Sequence, residues 1–197
     1  STDSFRLAEK KVKTKLKNEV AGVLIPFKNI PEILRIFGDI HDLVKVCFNK
    51  NQISFSTEGV YLTSRVIDGI FPDYRQIIPK DSETEAIVLK QDLVNSLKLS
   101  NIFSDKFNQI NLTVKPKEKV FELSSQNNEI GENKTYLDAA LIGEEVETSF
   151  NYKYFLDCFQ SIGTDSVSIK LSGPAAPIVV SPVGDTSFTY LIMPMNR

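Results

Sequence analysis

The sequence predicts an α+β fold built from repeated β-α-β-β-β units, with the helices on one face of antiparallel sheets. Helical patterns start near residues 29, 91 and 151, a spacing of about 60 residues that marks one recurring supersecondary unit. Each is preceded by a short apolar run and followed by three strand candidates with polar or Gly/Asn turns between them. A unit of this kind buries its helix only against a sister unit. Glu85–Ile142 and Val146–Arg197 are therefore expected to form one complete domain. Val20–Asp68 has no sister in the sequence, which implies more chain ahead of it.

Lys11, Lys13, Lys15 and Lys17 alternate with Val12, Thr14 and Leu16, as on a strand with one lysine face. That face suits either an edge strand protected against aggregation or an anion-facing strip. Val20–Pro26 reads as a short strand. Asn29 can cap the helix that follows, with Pro31 and Glu32 in its first turn and Gly38 as its stop. Its stripe is Ile30, Ile33, Leu34 and Phe37. Strands are expected at Leu43–Phe48, Gln52–Thr57 and Tyr61–Asp68.

The second unit runs through a strand at Ala86–Leu89 and a helix at Gln91–Ser104. That helix is expected to bury Leu93, Val94, Leu97 and, further on, Asn101–Ile102. Strands follow at Asn108–Lys115, Lys119–Ser125 and Asn133–Ile142. The third begins with Val146–Phe150, after which Asn151 caps a helix carrying Tyr154, Phe155, Cys158, Phe159 and Ile162, closed by Gly163. Strands at Ser166–Leu171, Pro177–Pro182 and Ser187–Met193 complete it.

Between the first unit and the second lies Tyr61–Lys80, YLTSRVIDGIFPDYRQIIPK. Gly69, Pro72 and Pro79 exclude a helix after Asp68 and predict an extended connector. Phe71, Tyr74, Ile77 and Ile78 should pack rather than face solvent. They either join two domains or line a crevice where a ligand sits.

At 197 residues the chain can bury roughly 70% of its unfolded surface. Its hydrophobic content of 42%, charged content of 24% and net charge of −2 are those of an ordinary globular protein. No run approaches a membrane span and no signal peptide is visible at Ser1, so a cytosolic protein is expected. Cys47 and Cys158 lie in apolar patterns and are expected to be buried thiols. With His41 the single histidine, neither a metal site nor a cofactor is expected. The charge balance argues against tight, charge-driven nucleic-acid binding.

No phosphate-cradling glycine loop and no nucleophile elbow occurs. Ser161 and Ser181 lack a histidine partner. Asp138 and Glu144–Glu145 sit where acidic side chains are ordinarily solvated. The inventory favours a binding module over an enzyme.

Several motifs, in order and spanning the chain, carry a family resemblance. They are SxDxxRLA at Ser1–Ala8, LTSRVIDGIFPDYRQIIPK at Leu62–Lys80, FSDKF at Phe103–Phe107 and EIGE at Glu129–Glu132. FNYKYFLD at Phe150–Asp157, GPAAP at Gly173–Pro177 and the YLIMPM of Tyr190–Met195 complete the set. Jointly they resemble the bacterial DNA polymerase III β subunit, the sliding clamp. The resemblance implies the DNA-clamp fold, with residues 1–79 as the second half of a middle domain and 80–197 as a third domain. It implies a non-catalytic processivity factor in a homodimeric ring around duplex DNA. It makes Lys28, Arg35, Lys98, Lys106 and Lys153 weak, non-specific phosphate contacts, and Ile102, Phe103, Glu129 and Glu132 a ring interface.

The resemblance also implies a cleft between middle and third domains, where the replicative polymerase, the clamp loader and repair polymerases dock a short tail containing Gln and Leu or Phe. The matching positions are Thr2, Arg6, Leu7, Pro72, Ile77, Phe107, Asn151, Tyr154, Pro177, Leu191, Ile192, Met193, Pro194 and Met195. Flexible thioethers suit a site with many partners. Ser4 and Phe5 depart from the family, which often has Gly and a small or His side chain there. Gln76 replaces a common Arg, and Asn196–Arg197 differs from the usual end. An alternative is a stand-alone adaptor that uses the cleft without encircling DNA.

Overall fold

The computed structural model describes residues 1–14 and 22–195. Lys15 and Lys17 of the alternating run, Val20–Ala21 of the expected strand and Asn196–Arg197 lie outside the described residues. The chain divides into two compact units, one of Ser1–Lys13 with Tyr74–Arg197 and one of Thr14–Asp73.

The first strand, β1 (Arg6–Lys10), belongs to the larger unit. It ends where the lysine-alternating strand was expected to begin. The backbone N–H of Lys11 still donates to Ser187 (2.7 Å), but Lys11–Thr14 is not strand.

The smaller unit holds α1 (Ile30–Phe37) and the antiparallel strands β2 (Lys45–Phe48), β3 (Gln52–Thr57) and β4 (Val60–Arg65). Of the Val20–Pro26 strand only an isolated bridge remains among the described residues, Leu24 to Ile67. Asn29 sits at the N-cap of α1 but makes no cap bond; its amide donates to Ser64 Oγ (2.8 Å) instead. Pro31 occupies the first turn as expected. No residue of α1 is buried, and Leu34 in its apolar stripe is 63% exposed. Ile53 and Ser64 are the buried residues of this unit among those described. Cys47, expected inside, is exposed on β2, where no residue of the strand is buried among the described residues.

The larger unit continues with β5 (Thr84–Leu89), α2 (Lys90–Ile102), β6 (Gln109–Lys115), β7 (Val120–Asn127), β8 (Gly131–Tyr136) and β9 (Ala139–Gly143). Then come β10 (Val146–Asn151), α3 (Tyr152–Phe159), β11 (Ser166–Leu171), β12 (Ile178–Pro182) and β13 (Phe188–Ile192). Two sheets result, in the orders β1-β13-β12-β11-β5-β9 and β10-β6-β7-β8. Each repeat sends its first strand into the sister's sheet: β5 pairs with β11, and β10 with β6. Neither repeat can complete its sheet alone, so the two form one cooperative core.

That core joins Leu93 and Leu97 of α2, Phe155 and Phe159 of α3, and the inward residues of both sheets. Phe150, Phe155 and Phe159 pack in series as tilted rings, with centroids 4.6 and 6.1 Å apart. Cys158 is buried there as expected, and burial pushes its thiol pKa up.

Three expectations need correction. Asn133–Ile142 is two strands in different sheets, broken where Leu137 turns in and donates its N–H to Phe121 (3.0 Å). The end of α2 buries Ser100 rather than Ile102, which is 58% exposed; the Ser100 carbonyl accepts from Ser125 Oγ (2.8 Å). The connector is not uniformly extended, since Tyr74–Gln76 forms a 3₁₀ turn. Its packing is also uneven. Phe71, Tyr74 and Ile78 are half-buried, whereas Ile77 is exposed. No helix among the described residues is long and apolar enough to cross a membrane.

Candidate functional site

The site is built on the edge pair β1 and β13, whose register sets Arg6 opposite Ile192 and Leu7 opposite Leu191. Ahead of β1 the chain turns tightly. Asp3 Oδ1 accepts from the N–H groups of Phe5 (3.1 Å) and Arg6 (3.0 Å), and Thr2 Oγ1 donates to the Arg6 carbonyl (2.8 Å). Closing this turn puts Ser4 at φ 74°, a left-handed conformation that suits glycine better than serine. The departure from Gly seen in the sequence is therefore accommodated with some backbone strain. The turn carries Phe5 outward, 59% exposed.

Arg6 lies on the α3 side of the sheet. Its guanidinium binds Asp3 Oδ2 (2.8 Å) and Asp157 of α3, and stands 4.9 Å from the centre of the Tyr154 ring. Burial works against the Arg6 charge, but the bonds to Asp157 and Asp3 outweigh it and its pKa is raised. Burial likewise lifts the neighbouring Tyr190 phenol, to about 12. Arg6 is thus a permanent cation that fixes the β1 edge to α3.

Asn151 caps α3 as the sequence predicts: its Oδ1 accepts from Lys153 N–H (3.0 Å), and its Nδ2 donates to the Phe107 carbonyl (3.3 Å). Cap and strand end together aim Tyr154 at Phe5. The two rings stack 6.2 Å apart at 22°. After β13, Met193 N–H donates to the Phe5 carbonyl (2.8 Å) and Met195 N–H to Ser149 (2.7 Å). Phe5, Asn151, Tyr154, Met193, Pro194 and Met195 line a half-open cavity of about 330 Å³.

Five of the fourteen expected cleft positions line this cavity: Asn151, Tyr154, Met193, Pro194 and Met195. Thr2 and Arg6 support it. Leu7 (5% exposed) and Leu191 (1%) face each other across the strand pair on the opposite side of the sheet from Arg6, already sealed. Ile192 is also buried. Tyr74 packs on the Leu7 side, its hydroxyl donating to Glu9 Oε1 (2.5 Å). Pro177 is half-buried, while Ile77 and Phe107 are exposed. Pro72 belongs to the smaller unit. In the sequence Phe5 is only a departure from the family pattern, and Asp157 only part of a motif. Their roles come from a turn geometry and a helix–strand contact that no local pattern reports.

Lys28, Lys98, Lys106 and Lys153 are exposed. Lys106 and Lys153 stand over the rings of Phe107 (5.0 Å) and Tyr152 (6.0 Å). Arg35 is committed to Glu32 on its own helix (2.5 and 2.9 Å). Ile102, Glu129 and Glu132 are exposed and Phe103 half-buried. Glu132 is on β8, which among the described residues pairs with β7 alone and stands at the end of its sheet. A larger concavity, about 420 Å³, lies over β5, β11 and β12 and includes none of the expected site residues. No group of three or more His, Cys, Asp or Glu side chains able to hold a metal occurs among the described residues.

Residues 75–196 match the family described as DNA polymerase III beta subunit, C-terminal domain, and residues 1–73 match its central domain. The beta sliding clamp of Bacillus subtilis is 31% identical over 200 residues, covering 100% of this chain and 53% of the relative. That of Staphylococcus aureus is 30% identical over 197 residues, covering 100% and 52%. Among solved structures, the DNA polymerase sliding clamp from Bacillus subtilis superposes with a TM-score of 0.95 at 30% identity, over 100% of this chain and 53% of that one. The clamp from Pseudomonas aeruginosa, solved with a ligand, gives 0.94 at 25% identity, over 100% and 54%. The chain spans about half the length of the curated relatives it matches.

Proposed function

The chain belongs to the DNA polymerase III beta subunit family, and from that premise we propose that it is part of a DNA sliding clamp, a non-catalytic processivity factor of the replicative polymerase. In this reading it tethers the polymerase, the clamp loader and repair polymerases to duplex DNA by holding a short peptide from each. The observation that carries the peptide-binding role is the cavity of about 330 Å³ between the Phe5 turn, the cap of α3 and Met193–Met195. Its lining is mainly apolar, two thioethers and two rings beside the Asn151 amide, and Arg6 ties the neighbouring β1 edge to α3. Burying one large side chain in such a pocket contributes roughly 1.5–3 kcal/mol.

Thr2, Arg6, Asn151, Tyr154, Met193, Pro194 and Met195 form the part of the site proposed to meet peptide. Leu7, Leu191 and Ile192 hold its strand floor, and Ile77, Phe107 and Pro177 are proposed as outlying contacts. We place the boundary between family domains at Pro79; the two family matches meet a few residues earlier, between 73 and 75. The strand β1 lies before that boundary and in the larger unit's sheet.

DNA contact is assigned to Lys28, Lys98, Lys106 and Lys153, with Arg35 secondary because Glu32 neutralises it. A few exposed lysines on a chain of net charge −2 give weak, salt-sensitive binding that permits sliding. Ile102, Phe103, Glu129 and Glu132 are proposed to join a second protomer in a homodimeric ring. The cytosol is the proposed compartment.

The test is titration with a synthetic peptide ending in Leu-Phe. Wild type should bind at micromolar affinity, and Met193→Ala and Tyr154→Ala should each weaken binding about tenfold, or 1.4 kcal/mol. Gln76→Ala should change it less. Unchanged binding by both folded cavity variants would remove the site.

A further inference from the structure

We propose that Tyr74 is a positioning residue for the cavity: its hydroxyl latches Glu9, holds the far end of β1 against β13, and so keeps the Phe5 turn in the cavity wall. The effect on peptide rests on the binding reading above; the latch itself is tested apart from it.

The need for a latch follows from where β1 stands. It is at the end of the six-stranded sheet, with β13 as its one neighbour among the described residues. A strand paired on one side opens more readily than one paired on both. At the cavity end of the pair Met193 N–H donates to the Phe5 carbonyl (2.8 Å), and at the far end Lys11 N–H donates to Ser187 (2.7 Å). Arg6 ties the cavity end to α3. Just past Lys11 the chain leaves the larger unit, and it returns at Tyr74. The first residue to return is the one that closes on β1, across 65 positions of sequence.

Two side chains tie down the far end, one on each face of β1. On the α3 face Lys10 meets Asp185 (3.2 Å), but both are well exposed, and an ion pair in solvent contributes little. On the other face the Glu9 side chain is only 14% exposed, on the same side as sealed Leu7. A carboxylate so withdrawn from water needs its bonds made within the protein, and losing one costs more than the bond contributed. Its two oxygens accept from the Tyr74 hydroxyl (2.5 Å) and from the exposed ammonium of Lys11 (3.1 Å). The Tyr74 bond holds the Glu9 pKa below its ordinary value and raises that of the phenol, the signature of a neutral hydroxyl donating to a charged carboxylate.

The experiment is amide hydrogen exchange on the whole chain, with titration of an acetylated hexapeptide ending in Leu-Phe. Tyr74→Phe keeps the ring and removes the hydroxyl alone. Exchange of Lys11 N–H should quicken about tenfold and that of Met193 N–H about threefold, with peptide binding weakened about threefold. Leu137 N–H, bonded to Phe121 in the other sheet, should stay within about twofold, which shows that the fold is intact. Glu9→Gln keeps an acceptor for the hydroxyl and removes the charge, so it should lie within about twofold of wild type throughout. In that background Tyr74→Phe should quicken Lys11 less than about threefold. Unchanged Lys11 exchange, or an equal quickening at Leu137, overturns the latch. Quickening at Lys11 with Met193 and the peptide unmoved overturns the positioning role. Wild type that binds no peptide overturns the binding reading, and the exchange rates then still decide the latch.

Discussion

The helices α1 and α3 begin alike and end in different environments. Each follows an asparagine and carries a clear apolar stripe. The asparagine of α3 caps its helix, and the helix buries Tyr152, Phe155, Cys158 and Phe159. The asparagine of α1 bonds to a strand serine, and the helix half-buries Ile33, Ile36 and Phe37 without fully burying any residue. What differs is the partner. In the larger unit two repeats exchange their first strands and close their helices over one core, whereas the described residues of the smaller unit contain one repeat. An amphipathic stripe therefore reports what a helix is able to bury; a sister repeat decides whether it does.

The largest expected contrast is in stability. Phe155→Ala empties the centre of the Phe150–Phe155–Phe159 series and should cost about 3–5 kcal/mol. Leu34→Ala, on the exposed face of α1, should stay within about 0.5 kcal/mol. Urea unfolding of the two variants measures both, and equal losses would break the comparison.

Two glycines with positive φ sharpen it. An added Cβ at Gly143 (φ 109°) would lie 2.0 Å from the Glu83 carbonyl oxygen, forcing the β5–β9 pairing to shift. At Gly59 (φ 72°), in the β3–β4 turn, it would meet nothing within 4 Å. Gly143→Ala should cost roughly 3 kcal/mol or more, and Gly59→Ala about 1–2 kcal/mol from backbone conformation alone. Similar melting-temperature losses would show that strain at φ, and not the close backbone, governs both.

The two cysteines report on the units separately. Exposed Cys47 should react with a thiol-specific disulfide reagent within minutes at neutral pH. Cys158, buried and with its thiol pKa raised by burial, should react only after unfolding. Two fast thiols in the native protein would mean that the core around α3 opens readily.

The smallest effect concerns the turn before β13. Bonds from the Ser187 hydroxyl and N–H and from Lys10 hold the Asp185 carboxyl down to about 2, below its ordinary 3.8. A lowered folded pKa means that the tie from β1 to this turn is complete above about pH 4. It is lost as pH falls from there towards 2. Asp185→Asn should flatten the wild type's acid-side loss of stability in that window by a small amount, because the pair is solvent-exposed. An identical pH profile in the variant would show that the tie contributes nothing.

The sequence by itself determined the repeat, the positions of the three helices and most strand cores. These depend on local periodicity, on Gly and Pro punctuation and on caps such as Asn151, all legible within a dozen residues. The motifs across the chain also determined the family. Only the tertiary structure decided that Arg6–Lys10 is a strand, since its hydrogen bonds go to β13 some 180 residues away. It alone split Asn133–Ile142 between two sheets, exposed Cys47 on β2 and sealed Leu7 and Leu191 across the β1–β13 pair. Phe5 gained its place in the same way, through a strained turn at Ser4 and a ring on α3. Periodicity encodes which face of an element is apolar, but what covers that face is set by chain segments distant in sequence, and no local pattern carries that information.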